Sequence, residues 1–303
     1  MLTRHRFGDV TWIDYTSPTT DELAILKNEL GLDPLVAEHI AEPNLRQKVI
    51  SFGSATFLTL YIPTKVSGKL TSECEVDFVI APNLLITSRF NEVDSILEFS
   101  RKVEMLETLH KHSLHNSSLR LFFYLLEHIY TRIHEQFRSN EHQLKRIEDS
   151  IFAGREKEVV TELSRVSREI LAYKKSLSFH DDVLEALNVP LQAIDGEHSK
   201  KRIASAIRTH NKLFDEVLAG HELLVELRAT NDSLLEHKQN TAVQILTFVT
   251  VVTSLASLIG VIFTMPFAHV PLLEHPYGFW IVLLCMCGLV LVALEIFKRN
   301  RWL

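Results

Sequence analysis

Apolar and polar positions along this chain follow three successive periods. Over residues 7–90 short apolar runs are broken by turn residues: Val10–Ile13, Val49–Phe52, Thr56–Ile62, Glu75–Ile80 and Leu84–Thr87. Runs of this length, rich in Val, Ile, Phe and Thr, predict β-strands. Between them Ser17-Pro18-Thr19-Thr20-Asp21-Glu22 has the cap and early acids that open a helix, and Asp33-Pro34 predicts another starting at Leu35. The first third, residues 1–116, therefore reads as an α+β domain.

From Ser117 the period becomes helical. Ser118 to Phe152 and Glu156 to about Asn188 form two long amphipathic stretches meeting at Ala153-Gly154, which predicts an antiparallel helical hairpin within residues 117–196. Beyond Pro190 and Gly196, no Pro and only Gly220 and Gly260 interrupt the pattern as far as Phe263. One helix of sixty-odd residues follows, about 100 Å long at 1.5 Å per residue. Its first part, residues 197–240, carries Ile203, Ile207, Phe214, Val217, Leu224, Leu227, Leu234 and Leu235 at a spacing near 3.5, a stripe that predicts association in a bundle.

The third pattern is continuous apolarity. No Asp, Glu, Lys or Arg lies between Lys238 and Glu274, and residues 241–263 alone suffice to cross a hydrocarbon core of about 30 Å. Residues 279–297 predict a second span, with Glu295 close enough to its end to reach the interface. The connection, residues 264–278, holds no Lys or Arg, whereas Lys238 precedes the first span and Lys298, Arg299 and Arg301 lie in the tail, residues 298–303. The positive-inside rule places both termini in the cytoplasm and the connection outside, in an inner (plasma) membrane, with Trp280 and Trp302 as interfacial anchors.

Composition refines this picture in two respects. The mean of 46% apolar residues averages a charged body with two spans, and a net charge of -6 gives no basic face for nucleic acid. The three cysteines, Cys74, Cys285 and Cys287, form no disulfide framework, and the first residues lack the apolar core of a signal peptide. No phosphate-binding loop, dinucleotide fingerprint, nucleophile elbow or metalloprotease motif is present, so the reading is of a protein without enzymatic activity or cofactor.

Two spans cannot enclose an ion pathway, so transport requires several copies. On the first span Asn240, Val243, Leu246, Thr250, Ser254 (or Thr253), Ser257 and Val261 recur at steps of three and four, a small and polar row along one side. In a ring of parallel copies this row lines a tube whose oxygens suit a divalent cation that keeps its water, with Leu246 as an apolar constriction. Small Ser and Thr residues also serve close packing between membrane helices, which is the structural reading of the same row.

Several fragments resemble the CorA family of divalent-cation channels, in the branch that includes magnesium, cobalt and nickel uptake proteins and a zinc transporter. Trp12-Ile13-Asp14, Pro18-Thr19 and Leu30-Gly31-Leu32-Asp33-Pro34-Leu35 are similar to the family's opening. Val76-Asp77-Phe78-Val79-Ile80 with Asn83-Leu84-Leu85-Ile86-Thr87 resembles its paired strands, and Phe297-Lys298-Arg299-Asn300-Arg301-Trp302-Leu303 its terminus. The resemblance implies a homopentameric funnel in the lipid bilayer, its first spans lining the pore. The transported ligand would be Mg²⁺, Zn²⁺, Co²⁺ or Ni²⁺.

The departures are as informative. The family has Tyr-Gly-Met-Asn-Phe after the first span where this chain has Phe263-Thr264-Met265-Pro266-Phe267, so the entrance ring of Asn amides is lost; Pro266 offers a carbonyl but no amide donor. In the outer loop Val270-Pro271-Leu272-Leu273 replaces Met-Pro-Glu-Leu, with Glu274 close by and His269 and His275 flanking it. A carboxylate from each copy would concentrate cations, and histidine beside it favours Zn²⁺, Co²⁺ or Ni²⁺ over Mg²⁺. Where the family's regulatory carboxylate would stand on the long helix, an ungapped count finds Ser205, Arg208 and Thr209, with Asp215 or Glu216 reachable by a gap. Asp232 and Glu236 are candidates for an acidic throat above Asn240. His110-Lys111-His112-Ser113-Leu114-His115 reads as a solvated connector, and His180-Asp181-Asp182 as part of the hairpin's tip. The alternative function is a non-conducting scaffold or sensor on the same pentameric plan.

Overall fold

The computed structural model describes residues 2–19, 22, 33–44, 46–66, 69–108, 117–264 and 277–299. Its residues form two compact units, Met1–Leu227 and Arg228–Leu303.

In the first unit the period-2 runs become a six-stranded mixed sheet of β1 (Leu2–Phe7), β2 (Val10–Thr16), β3 (Val49–Phe52), β4 (Ala55–Val66), β5 (Lys69–Ala81) and β6 (Leu84–Arg89). Their spatial order is β1-β2-β6-β5-β4-β3. Neighbours are antiparallel except β2 and β6, which run parallel. The β1–β2 and β3–β4 hairpins close through the two-residue turns Gly8-Asp9 and Gly53-Ser54, each with glycine at φ near +57° in the first position, and β5–β6 closes through Pro82-Asn83. Turns with positive φ there best match the right-handed twist of the flanking strands, and glycine adopts it without strain at both sites. The five expected strands are present, and all but β3 are longer than the runs that predicted them. β1 was not expected, because its outward residues Leu2, Arg4 and Arg6 leave no apolar run; as an edge strand it is protected by those charges.

Alternation sorts the sheet's side chains onto two covered faces. Ile13, Tyr15, Ala55, Phe57, Val79, Ala81 and Ile86 pack on one face under Val36 and Ile40 of α1 (Pro34–Ala41). Helix α1 begins as expected, with Pro34 in its first turn and the Asp33 carboxylate accepting from the Leu35 amide at 3.0 Å. The helix expected after Ser17 lies mostly outside the described residues, but its start is a reciprocal capping box. The Thr19 amide donates to Glu22 Oε2 at 3.0 Å, and the Glu22 amide donates to Thr19 Oγ1 at 3.3 Å.

On the other face Trp12, Leu58, Leu60, Ile62, Val76, Phe78, Ile80 and Leu85 are buried. There Trp12 meets Phe99 of α2 (Asp94–Thr108) edge-on at 5.6 Å, and Phe78 meets Phe122 of α3 (Ser118–Phe152) edge-on at 5.4 Å. This face also encloses an ion pair: Arg89 donates to Asp14, whose Oδ1 accepts from Thr87 Oγ1, which itself accepts from Trp12 Nε1 at 3.1 Å. Removing either charge of such a pair leaves the other buried and uncompensated, at a cost of about 3–5 kcal/mol.

The helical hairpin forms from α3 and α4 (Glu156–Leu177), turning at Gly154 with φ +82°. The second arm is shorter than its periodicity implied. It ends at Leu177 and is followed by α5 (His180–Ala186) and α6 (Asn188–Asp195) before Gly196 leads into α7 (Glu197–Thr264), a helix of 68 residues. Of the stripe on the first part of α7, Ile203, Val217, Leu224 and Leu227 are buried within the chain, and Ile207, Phe214, Leu234 and Leu235 are half-buried. Helix α3 runs alongside α7 in the same direction, since His134 Nδ1 lies 2.7 Å from Glu216 and Phe137 lies against Gly220. His180, expected at the hairpin's tip, is instead fully buried at the start of α5, while the tip is formed by Ala153–Arg155.

Two measurements test this packing. A Cβ on Gly220 would come within 2.8 Å of Phe137 Cζ, and that ring is itself fully buried and held edge-on by Tyr173 at 5.3 Å. Gly220→Ala should therefore lower stability by about 1–3 kcal/mol, read as a drop in Tm, despite alanine's better helix propensity. Burial, and then the nearby His210, push the His180 imidazole down from 6.5 to about 3. The folded state thus binds fewer protons than the unfolded state between these values, and stability falls as pH drops from about 6.5 towards 3. His180→Leu should lower stability at pH 7 while making this acid-side slope shallower than in the wild type; equal slopes in urea titrations would refute the assignment.

Candidate ion pathway

In the second unit α7 continues from Arg228 to Thr264 and α8 spans Gly278–Arg299. Both helices contain stretches long and apolar enough to cross a membrane. In lipid an unpaired backbone amide costs several kcal/mol, so an uninterrupted helix is the form these segments must take. The two helices touch along one row each. On α7 the half-buried residues are Phe248, Val252, Ala256, Ile259 and Gly260; on α8 they include Val282, Met286, Val290, Ala293 and Phe297. Phe248 and Phe297 meet between them, with ring centroids 4.6 Å apart. Steps of four dominate both rows, as when ridges of one helix fit the grooves of another.

The row Asn240, Val243, Leu246, Thr250, Ser254, Ser257 and Val261 occupies the opposite side of the helix. At about 100° per residue these positions centre roughly half a turn away from Val252. All are exposed, Leu246 at 66% and Val243 at 54%. Asp232 and Glu236, also exposed, extend the same row by two steps of four. From Asp232 to Val261 the mean step is 3.6, the period of a straight helix, so the acids, the amide and the hydroxyls share one face.

Hydrogen bonding gives the polar part of this face a sign. Thr250 Oγ1 donates its proton to the Leu246 carbonyl at 2.8 Å, and Thr247 and Thr253 donate to Val243 and Val249 in the same way. A hydroxyl has one proton; once it is committed to the helix, the oxygen offers only lone pairs outward. These threonines are therefore acceptors, the polarity that a water molecule bound to a cation requires. Sequence spacing located the row but could not reveal this commitment.

Thr264 closes α7, while Met265, Pro266, His269, Glu274 and His275 lie outside the described residues, as does the histidine cluster of residues 110–115. Ser205 and Thr209 border a cavity of about 130 Å³ with Phe123, Tyr124, Glu127, Tyr130 and Arg202. Glu216, the gapped candidate for a regulatory carboxylate, is engaged by His134. Among the described residues no group of three or more His, Cys, Asp or Glu side chains is placed to hold a metal ion.

A mixed α/β domain, a helical hairpin and a long helix running into the first of two membrane spans define a class of membrane protein with an extensive body outside the bilayer. The chain belongs to the family of CorA-like Mg²⁺ transporter proteins, whose model matches residues 7–299. It is 24% identical over 293 residues to the cobalt/magnesium transport protein CorA of Methanocaldococcus jannaschii, covering 96% of this chain and 91% of that protein. To the protein of the same name from Thermotoga maritima it is 22% identical, covering 97% and 83%. The complete structure of the CorA magnesium transporter from Methanocaldococcus jannaschii superposes with a TM-score of 0.85 at 22% identity, covering 97% of this chain and 92% of that one.

Proposed function

We propose that this protein conducts divalent cations across the cytoplasmic membrane as a homopentamer, with the Asn240–Val261 row of each α7 facing a common axis. The observation that carries the reading is the separation of faces in the second unit. α8 meets α7 on the Phe248 side, and the opposite side, left exposed, bears Thr250, whose hydroxyl proton is spent on the helix so that its oxygen only accepts. A hydrated divalent cation presents water protons in every direction, and Asn240 Oδ1 and Thr250 Oγ1 can accept them without stripping the ion of its shell. Leu246 is the apolar narrowing, and Asp232 and Glu236 form an acidic throat that raises the local cation concentration at one end. With both termini in the cytoplasm, an inside-negative potential drives entry by about 2.3 kcal/mol per charge for every 100 mV.

The relatives bearing cobalt and magnesium in their names support a divalent ion for this chain. Thr264-Met265-Pro266 in place of Gly-Met-Asn supports a preference shifted away from Mg²⁺, because Pro266 removes the amide donor at the entrance and His269, Glu274 and His275 supply borderline ligands in the outer loop.

Proteoliposome flux with Mg²⁺, Zn²⁺, Co²⁺ and Ni²⁺, on protein shown to be pentameric, tests this reading; no flux for all four ions overturns it in favour of a scaffold. Leu246→Ser should increase leak by widening and wetting the constriction, and Asn240→Ala should change ion affinity or selectivity. Unaltered transport in both variants would move the pathway to another face of α7. Replacing Thr264-Met265-Pro266 by Gly-Met-Asn should shift selectivity towards Mg²⁺.

A further inference from the structure

Two carboxyl groups are buried in the first unit where alternation along β5 would have exposed them in a one-sided sheet. Glu75 and Asp77 lie on the α1-covered face and are 9% and 2% exposed. Both converge on Asn44. Its backbone amide donates to Glu75 Oε1 and Oε2 at 2.7 and 2.9 Å, and its side-chain Nδ2 donates to Glu75 Oε1 at 2.9 Å and to Asp77 Oδ1 at 3.2 Å. From β4 the Thr59 hydroxyl donates to Asp77 Oδ1 at 2.6 Å. On β6 the residue in register with Asp77 is Ser88, which brings no charge.

The remaining charged groups lie towards a cleft of about 550 Å³ bordered by Glu38, His39, Glu42, Pro43, Asn44, Arg46 and Lys48. Burial and the Lys48 charge hold the His39 ring below the usual imidazole range, so its Nδ1 accepts from the Lys48 ammonium at 3.1 Å. Lys48 is the cation whose charge acts on Asp77, and it faces a neutral ring; Lys175 is paired with Glu73 at 3.0 Å.

From Asn44 an unbroken series of contacts reaches the long helix. The Tyr61 hydroxyl donates to the Asn44 carbonyl, and burial keeps that phenol protonated. The Tyr61 carbonyl accepts from His180 Nε2 at 2.9 Å. Because a carbonyl cannot donate, Nε2 carries the proton, and the free lone pair of Nδ1 accepts from the Tyr130 hydroxyl at 3.0 Å. The His180 ring stacks on His210 of α7 at 5.6 Å, and His210 Nε2 donates to the Leu177 carbonyl at 2.9 Å.

We propose that the Glu75–Asp77 pair is a proton switch, whose state is passed through Asn44, Tyr61 and His180 to the packing of α7 at His210. When Asp77 is protonated, the Asn44 carboxamide and amide serve a single negative charge, that of Glu75. Loss of the Asp77 proton to solvent through the cleft places two like charges on the same asparagine. Asn44 is the residue that must move to admit water or Lys48, and the Tyr61 hydroxyl moves with it.

The midpoint lies in an accessible range. Burial raises the Asp77 carboxyl from 3.8 to about 8, the Glu75 charge adding to this and the Thr59 and Asn44 hydrogen bonds and Lys48 opposing it. The folded state thus binds more protons than an opened one, so its stability falls as pH rises towards about 8 and levels off above it.

Hydrogen exchange on the full-length protein tests the switch without any assumption about transport. After correction for intrinsic rates, protection at residues 203–217 of α7 should fall between pH 7 and 8, by up to about tenfold, and stay level above pH 9. Asp77→Asn, which keeps the acceptor for Thr59 and cannot ionise, should abolish that change. Tyr61→Phe, which keeps the ring and loses the hydroxyl, should leave the change near Asn44 but remove it from α7. Protection independent of pH in the wild type, or an unchanged response in Asp77→Asn, overturns the proposal; so does a response in α7 that survives Tyr61→Phe. If Asp77→Asn does not fold, the wild-type profile and Tyr61→Phe still decide. The effect on conduction rests on the transport reading and is measured separately as ion flux against pH on the side of the first unit. Absence of flux at every pH counts against transport and leaves the exchange result standing.

Discussion

Lipid offers no partner to an unpaired backbone amide, and the span of α7 meets that constraint as the end of one helix unbroken from Glu197 to Thr264. One consequence is a fixed angular relation between residues far apart in sequence. With no break to reset the phase, the acids at Asp232 and Glu236, the amide at Asn240 and the hydroxyls at Thr250, Ser254 and Ser257 must share a face. The same continuity leaves threonine protons nowhere better to go than the carbonyl one turn back, so the helix itself makes these side chains acceptors.

The first unit follows from a different constraint. Its sheet is covered on both faces, by α1 on one and by α2 and α3 on the other, so the strands cannot keep a wet side. Polar residues at alternate positions become interior groups and need partners. Asp14 finds Arg89, Thr87 and, through the threonine, Trp12 on one face. Glu75 and Asp77 find one asparagine between them on the other. The first arrangement is compensated charge and holds β2 to β6; the second leaves a carboxyl that stays protonated near neutrality, a group whose state depends on its surroundings.

The readings that succeeded concern periodicity and those that failed concern neighbours. Val49–Phe52 and Leu84–Thr87 announce strands because their apolar residues must be buried in any fold, whereas β1, with Arg4 and Arg6 outward, becomes a strand only because β2 is there to pair with it. Helix α2 does carry a local signal, Ile96, Phe99 and Val103 at helical steps, and these are the residues it buries, Phe99 against Trp12. The arm expected to run to about Asn188 is cut at Leu177. The break lets His180 turn inward between Tyr130 and His210, a gain that no local pattern records. His180 beside Asp181 and Asp182 looks solvated in one dimension and is fully buried in three.

Sequence by itself determined the strands from Val10 to Thr87, the helical hairpin, the two spans and the single long helix, because each is a matter of period, length and the absence of charge. Tertiary structure decided which sides of those elements remain open. α8 takes the Phe248–Gly260 side of α7 and leaves the Asn240–Val261 row exposed. Ile203, Val217, Leu224 and Leu227 of the stripe are buried within the chain. And α1, by closing over β5, turns Glu75 and Asp77 from apparent surface residues into buried acids; exposure is a property of what lies opposite a side chain, and nothing in its own strand specifies that.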